Sequence, residues 1–339
     1  MVKVNIAING IGRIGKNVFR RYFEDRYENL NLVAINLGES NVQSKLHLLK
    51  YDSIHGTFNS IKKIEENKIF VKEQSVEIIK KRAINNINWK NYNVDLVLEC
   101  TGTFNSKELS SQHIEQGAKK VLVSAPCEGA DNTIILGVNH DKLTSEDKVI
   151  SIGSCTTNCL APIAKILDEN FGIKSGFMTT IHSYTNDQRI IDGGHNDLRR
   201  ARAAAMSIIP TTTGAAKSIG LILPNLKGKL DGAAVRVPTP NVSMIDFSFI
   251  SNKDISVTEI NEAMRQNSKD NYKGIVDIAE DELVSTDFNH TTASAIFDIG
   301  ETKVINKNFG RVVAWYDNEW AFSCRMLEVA NLMAKGFKV

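Results

Sequence analysis

Short, β-branched apolar runs alternate with helical patterns through the first 150 residues. Val4-Asn5-Ile6-Ala7-Ile8 has the pattern of a buried strand, followed by a glycine turn and a helix to about Arg26. Leu32-Val33-Ala34-Ile35 predicts a second strand, and residues 60–80, rich in Lys, Glu, Ile and Val, predict small antiparallel strands on the surface. The alternation resumes with a strand over Asp95–Glu99, a helix from Ser106 to about Gln116 and a strand over Lys120–Ser124. Repetition of this kind calls for a parallel sheet with helices on both faces. Beyond residue 150 the pattern changes. A helix is predicted from near Thr156, a strand over Phe177–His182, then a long segment from Ser183 to about Ser207. Longer alternating strands follow at Gly232–Val237, Ser243–Ile250 and Arg311–Tyr316, which predict an α+β domain with an antiparallel sheet and helices on one face. The last helix, from Trp320, sets Met326, Val329, Ala330 and Met333 on one stripe and is expected to pack.

A chain of 339 residues exceeds the roughly 250–300 at which single cores stop growing, so two domains are expected. With 41 basic and 39 acidic residues the charge is nearly balanced, which argues against a large nucleic-acid footprint. The compact basic cluster Arg199, Arg200 and Arg202 reads on its own as a solvated helix face or a salt-bridge set. Lys165 interrupts the most apolar helical stretch, and no run of about 18 apolar residues exists to span a bilayer. Five cysteines without framework spacing, and no secretory leader pattern, predict reduced thiols and a cytoplasmic protein.

Gly10-Ile11-Gly12-Arg13-Ile14-Gly15 fits G-x-G-x-x-G between a strand and a helix. The three glycines serve a tight turn, close approach to a pyrophosphate and close helix–strand packing, with the phosphates on the helix N-terminus. A Rossmann-type dinucleotide-binding domain is expected. The acid that would hold the ribose hydroxyls about 20 residues later is missing. Ile35-Asn36-Leu37-Gly38 fills that corner, and Glu39, past a glycine, is the nearest carboxylate.

Ser151-Ile-Gly-Ser-Cys155-Thr-Thr-Asn-Cys159 places a cysteine at the mouth of a helix after a strand and a turn. A helix N-terminus and a nearby imidazolium both lower a thiol's pKa from about 8.5. Cys159 lies one turn deeper. On this motif alone, two buried structural cysteines are an equal alternative, whereas zinc lacks a second ligand pair. His182, at a strand end in the same domain, makes a Cys–His pair plausible.

These segments, with Asp197-Leu-Arg-Arg-Ala-Arg-Ala-Ala204, Ser207-Ile-Ile-Pro-Thr-Thr-Thr-Gly214, Val235-Arg-Val-Pro-Thr239 and Trp315-Tyr-Asp-Asn-Glu-Trp320, closely resemble the glyceraldehyde-3-phosphate dehydrogenase family, in its order and from first strand to last helix. The resemblance implies an NAD(P)-binding domain over 1–154, a catalytic domain over 155–318, and a C-terminal helix, 319–339, returning to the first domain. It further implies a homotetramer in which the segment after Ser183 lines a neighbour's cofactor site. Cys155 is then the nucleophile and His182 its acid and base. Ser154, Thr156, Thr185, Arg200, Thr213, Gly214 and Arg236 correspond to the positions for substrate phosphate and inorganic phosphate. On the cofactor side stand Gly10, Gly12, Arg13, Ile14, Gly15, Asn36, Leu37, Arg82, Thr101, Ser124 and Asn318. The implied reaction converts glyceraldehyde 3-phosphate, phosphate and NAD or NADP to 1,3-bisphosphoglycerate through a thioester, with no metal, nucleic acid or membrane.

Two positions depart from the NAD-type pattern. Leu37 replaces the ribose-binding aspartate, and Gly193-Gly194 replaces a Leu-Pro pair; in the family, losing both goes with tolerance of NADP. Erythrose-4-phosphate dehydrogenase is the alternative, and Asp287-Phe-Asn-His290 is compatible with it, whereas Tyr184-Thr-Asn186 and Thr211-Thr-Thr-Gly214 keep the glyceraldehyde-3-phosphate pattern. A non-catalytic dinucleotide-binding protein would have lost the thiol, base or phosphate groups. A thiol hydrolase would need no glycine turn.

Overall fold

The computed structural model describes residues 3–25 and 27–336. Met1, Val2, the expected helix end near Arg26 and the last three positions of the predicted 319–339 span lie outside the described residues. The chain forms two compact units. The first comprises the described residues of Met1–Leu136, His140–Ser154 and Phe322–Val339; the second comprises Gly137–Asn139 and Cys155–Ala321.

The first unit runs β1 (Val4–Asn9), α1 (Arg13–Glu24), β2 (Leu30–Asn36), α2 (Val42–Lys50), the small pair β3 (Tyr51–Asp52) and β4 (Gly56–Thr57), then β5 (Ile61–Ile64), β6 (Lys68–Val71) and β7 (Gln74–Ile79). After these come β8 (Leu96–Glu99), α3 (Lys107–Glu115), β9 (Lys120–Val123), β10 (Asn132–Thr133) and β11 (Val149–Ser151). Nine strands form one sheet in the order β10-β11-β9-β8-β1-β2-β7-β6-β5. From β10 to β7 every neighbour is parallel; β6 and β5 are antiparallel additions. Ile6, Ile8, Leu32, Leu96, Leu98, Val121 and Ile150 are wholly buried, as expected of parallel strands covered on both faces. The region 60–80 departs from expectation. It is no surface appendage, because β7 pairs with β2 and buries Val76, Ile78 and Ile79.

Strand order reverses between β1 and β8, and at such a switch point the carboxyl ends of the strands open a crevice. The glycine turn lies there. Gly10 has φ +93, and a Cβ on it would come within 2.9 Å of three Thr101 atoms beyond β8. A Cβ on Gly15 would stand 1.9 Å from the Gly10 carbonyl oxygen, whereas one on Gly12 would meet nothing within 4 Å. Packing therefore demands two of the glycines, and the third leaves open space.

The second unit contains α4 (Cys155–Phe171), β12 (Ile173–Ser183), β13 (Ile209–Thr212), α5 (Ala215–Ile222), β14 (Leu230–Val237), β15 (Ser243–Ser251), α6 (Val257–Lys269), β16 (Val276–Ala279), β17 (Ala295–Ile305), β18 (Phe309–Tyr316) and the start of α7 (Trp320–Gly336). Its seven-stranded sheet has the order β13-β14-β12-β15-β18-β17-β16. The expected antiparallel sheet is in fact mixed, since β12 with β14 and β16 with β17 run parallel. Both partners that make it so arrive after long excursions, which period-2 patterning does not report. The strands β13, β16 and β17 add to those that the alternation predicts. Phe247, Phe249 and Phe297 fill the core, and α4 packs on α5, α6 and the sheet. From Phe322 onward α7 belongs to the first unit, where Asn331 accepts from the Asn29 amide at 3.1 Å. No helix among the described residues is long and apolar enough to cross a membrane.

Gly15→Ala should cost about 1–3 kcal/mol of stability, read as a lower denaturant midpoint of unfolding, because its methyl overlaps the Gly10 carbonyl. Gly12→Ala should unfold like the parent. Equal midpoints for the two variants would refute this reading of the turn.

Candidate active site

Cys155 is the first residue of α4, where the first-turn amides lack carbonyl partners within the helix. His182 is the penultimate residue of β12, and its Nε2 lies 3.5 Å from the Cys155 Sγ. Parallel register sets His182 opposite Arg236 on β14, so the guanidinium and imidazole stand side by side. Arg236 Nη1 is 2.6 Å from His182 Nδ1 and donates to the Ser183 carbonyl at 3.0 Å. The same carbonyl lies 2.7 Å from Nδ1. These two neighbours ask opposite things of the ring. Donation to Ser183 needs a proton on Nδ1 and leaves Nε2 bare toward the thiol; acceptance from Arg236 puts the proton on Nε2.

Tyr316, the last residue of β18, closes the back of the pair. Its hydroxyl joins Thr156 Oγ1 at 2.9 Å and Thr180 Oγ1 at 2.8 Å, and its ring meets that of His182 edge-on at 5.9 Å. Helix start and strand end are thus held by one buried phenol.

The electrostatics correct a simple expectation. Desolvation raises the thiol of Cys155, although the Arg236 charge and the Thr156 and Cys155 amides pull it down. Burial, with Arg236 as second cause, lowers His182 to about 3. The helix terminus and the imidazole are in place, yet crowding outweighs them, and each ion in isolation is disfavoured. Moving the thiol proton to Nε2 leaves the pocket's net charge unchanged, so burial penalises that ion pair less than either ion alone. Cys159 is wholly buried, its thiol is raised well above the ordinary value, and its Sγ faces the Ala314 carbonyl at 3.9 Å.

Arg236 is half-buried, and its Nε has no hydrogen-bond partner among the described residues. Thr185 follows β12 and is held through its N–H to Gln188 at 2.9 Å. Thr213 Oγ1 accepts from the Ala215 amide at 3.2 Å, so Thr213 and Gly214 form the N-terminus of α5. Arg200 fits the salt-bridge reading of its cluster. It lies on no helix, and its guanidinium is engaged by Asp187 at 2.7 Å, Asp197 at 3.4 Å and Thr211 at 2.8 Å. Arg202 pairs with Asp192, so the basic cluster is largely a salt-bridge set. Thr156 serves Tyr316, and Ser154 directly precedes Cys155. Asn318 Oδ1 accepts from Ser183 at 3.0 Å and Ser243 at 2.8 Å, leaving its Nδ2 to be offered. Asp317 Oδ1 caps α7 through the Glu319 and Trp320 amides, which fixes the backbone beside Asn318.

In the first unit, the helix that begins at Arg13 has no acidic residue in its first turn and no side-chain cap on Gly12, a terminus suited to an anion. The Arg13 guanidinium itself turns to Asp52 at 2.5 Å, which also holds Lys16, so Arg13 and Ile14 face the turn through their backbone. Leu37 is buried; its carbonyl accepts from Lys45 Nζ at 2.5 Å. Glu39 is exposed. Arg82 is exposed, Thr101 lies at the mouth beside Gly10, and the Ser124 amide donates to the Glu99 carbonyl at 3.0 Å.

Residues 4–107 match the family described as glyceraldehyde 3-phosphate dehydrogenase, NAD binding domain, and residues 154–318 its C-terminal domain. Over 335 residues the chain is 50% identical to the glyceraldehyde-3-phosphate dehydrogenase of Xanthobacter flavus, covering 98% of this chain and 99% of that protein. The chain belongs to the glyceraldehyde-3-phosphate dehydrogenase family. Relatives of that name in Cereibacter sphaeroides, 48% identical over 333 residues, and Bacillus subtilis, 47% over 338, are matched over at least 98% of every chain. The first unit is thus a Rossmann-type NAD-binding domain, the second a catalytic domain, and the chain an oxidoreductase acting on aldehydes. In this glyceraldehyde-3-phosphate dehydrogenase fold, Tyr316 falls inside the Trp315–Trp320 segment that carried the resemblance, but its role rests on Thr156 and Thr180, partners 160 and 136 residues away that no motif displays.

His182→Asn should shift the pH profile of Cys155 alkylation by iodoacetamide upward, since the proton acceptor is lost. Arg236→Leu should also shift it upward, because a positive neighbour that stabilises the thiolate is removed. A downward shift in either variant would contradict these assignments.

Proposed function

We propose that this chain is a phosphorylating glyceraldehyde-3-phosphate dehydrogenase working through a Cys155 thioester. The observation that carries the reading is the Cys155–His182 approach of 3.5 Å with Arg236 alongside. The Cys155 sulfur, its proton passed to His182 Nε2, adds to the aldehyde carbon, and the imidazolium returns that proton to the resulting oxyanion, giving a thiohemiacetal and a neutral His182. His182 then takes the hydroxyl proton as a hydride leaves that carbon. A bound nicotinamide supplies the acceptor for that hydride. The product is an acyl thioester on Cys155, which inorganic phosphate attacks, releasing the thiolate and an acyl phosphate. Splitting one difficult step into two is what the covalent nucleophile provides. Arg236, with Thr185, Arg200, Thr213, Gly214, Ser154 and Thr156, binds the two phosphates; guanidinium–phosphate bonds are charge-assisted and often bidentate. For Arg200 this requires that phosphate compete with Asp187 and Asp197.

The same chain accepts NADP as well as NAD in this reading. Leu37 puts no carboxylate directly after β2 to repel a 2′-phosphate, Glu39 standing beyond the Gly38 turn, and the Lys45 ammonium stands against the Leu37 carbonyl. Gly194 has nothing within 4 Å of a would-be Cβ, in support of room for the extra phosphate. The active form is a cytoplasmic homotetramer. In support, Ile190, Ile191, Leu198, Met206 and Ile208 are all more than 70% exposed in the single chain, an apolar surface that favours cover by another copy. The five cysteines are free thiols.

Cys155→Ser should reduce turnover of glyceraldehyde 3-phosphate by on the order of 10⁴-fold or more while dinucleotide binding persists. Loss of activity in Cys159→Ser with retention in Cys155→Ser would overturn the assignment. Initial rates with NAD and NADP, and with erythrose 4-phosphate as rival substrate, test cofactor and substrate together. Leu37→Asp should shift preference toward NAD about tenfold, ~1.4 kcal/mol. A parent with no NADP activity would end the dual-cofactor reading.

A further inference from the structure

Beneath the glycine turn lies a chain of buried polar groups that the chemistry above does not use. Glu99, at the end of β8, is 1% exposed and accepts four hydrogen bonds. Its Oε1 takes the Thr101 N–H at 2.7 Å and the Thr101 hydroxyl at 2.5 Å. Its Oε2 takes the Asn9 amide at 2.6 Å and His113 Nε2 at 3.0 Å. The tautomer of His113 follows from its other side, because Nδ1 lies 3.1 Å from the Trp89 indole N–H, which only donates. His113 is therefore a donor to Glu99.

Direction then propagates to the far strand. Because Asn9 spends its amide on Glu99, its Oδ1 faces outward and accepts from Asn36 Nδ2 at 2.7 Å. Asn36 Nδ2 also donates to the Lys81 carbonyl at 2.8 Å, and its Oδ1 accepts from the N–H groups of Gly38 and Lys81, each at 3.1 Å. Gly38, with φ +70, is the turn residue directly after Leu37. The Asn36 carbonyl also receives the Gly10 amide at 3.1 Å. One carboxylate thus fixes Thr101, against which Gly10 packs, and, through Asn9 and Asn36, ties β1 to the corner after β2.

We propose that Glu99 is a positioning residue for the dinucleotide, its carboxylate setting the direction of a buried relay that holds the ends of β1, β2 and β8 beneath the cofactor. Glutamine cannot replace it. Its NH2 must face either the two Thr101 donors or the Asn9 and His113 donors, and Trp89 forbids His113 from reversing. Donor then meets donor around residue 99, and an Asn9 that turns to relieve this presents its NH2 to Asn36 Nδ2, so Asn36 keeps its Gly38 and Lys81 bonds but loses its tie to β1. A half-satisfied buried network of this kind is costly and poorly ordered.

The inference rests on the dinucleotide lying over Gly10–Gly15, so the test separates the two. NAD affinity of the full chain is measured by calorimetric titration for Glu99→Gln, Asn9→Ser, the double variant and Gly12→Val, alongside steady-state rates. Each single relay variant should weaken NAD binding and raise KM for NAD about tenfold, with kcat at saturating NAD changed less than twofold. Alkylation of Cys155 without NAD should proceed at the parental rate. The double variant should lie within about twofold of the weaker single, since one relay is cut twice; additivity would mean independent structural effects. If Glu99→Gln does not fold, Asn9→Ser carries the affinity test alone. Parental NAD affinity in folded relay variants, or additive losses, overturns the proposal. Parental affinity in Gly12→Val overturns the placement of the dinucleotide as well.

Discussion

Parallel pairing of β12 with β14 sets His182 opposite Arg236, and one positive charge in that register acts on two groups. It favours the Cys155 thiolate and opposes the His182 imidazolium. A slip of one residue would turn the imidazole to the other face of the sheet and dissolve the arrangement. Tyr316 reinforces the register from β18 by joining Thr156 to Thr180. The long excursion from Ser183 to Leu230 between the two parallel strands then has a physical basis: a parallel neighbour needs a crossover, and Thr185, Arg200 and Thr213 lie on it.

The first unit meets an analogous constraint by other means. Its strand order reverses between β1 and β8, and backbone from both must share one crevice. Glycine at 10 and 15 permits that approach, and the buried carboxylate of Glu99 orients the polar groups beneath it. The reacting pair is likewise desolvated, and in both places polar groups are kept out of water and supplied with partners. Such networks hold geometry well when complete and fail sharply when one member is changed.

Local features were legible in the sequence because their signals are local. The glycine turn, the helix-leading cysteine, the strand-ending histidine and the change of pattern near residue 155 all occupy a few consecutive positions. What escaped depends on separation along the chain. The ion pair of Arg13 with Asp52 spans 39 residues, the Asn9–Glu99 bond 90 and the Thr156–Tyr316 bond 160. The mixed second sheet escaped because a strand's alternation says which face is buried but not which way its neighbour runs. Leu37 is the instructive middle case: its lack of a carboxylate is plain in the sequence, whereas Lys45 filling the space beside it required coordinates. The thiol's raised pKa also needed them, since crowding is a property of the packed site and not of the motif.

The central claim is that the acyl group passes through Cys155. Full-length chain is mixed with glyceraldehyde 3-phosphate and NAD in phosphate-free buffer, quenched in acid within the first turnover, and weighed intact before peptide mapping. The account predicts one phosphoglyceroyl adduct per chain on the peptide bearing Cys155, formed in step with reduced cofactor and discharged when phosphate is added before the quench. Reduced cofactor accumulating with no adduct on the chain, or an adduct confined to Cys159, would contradict it.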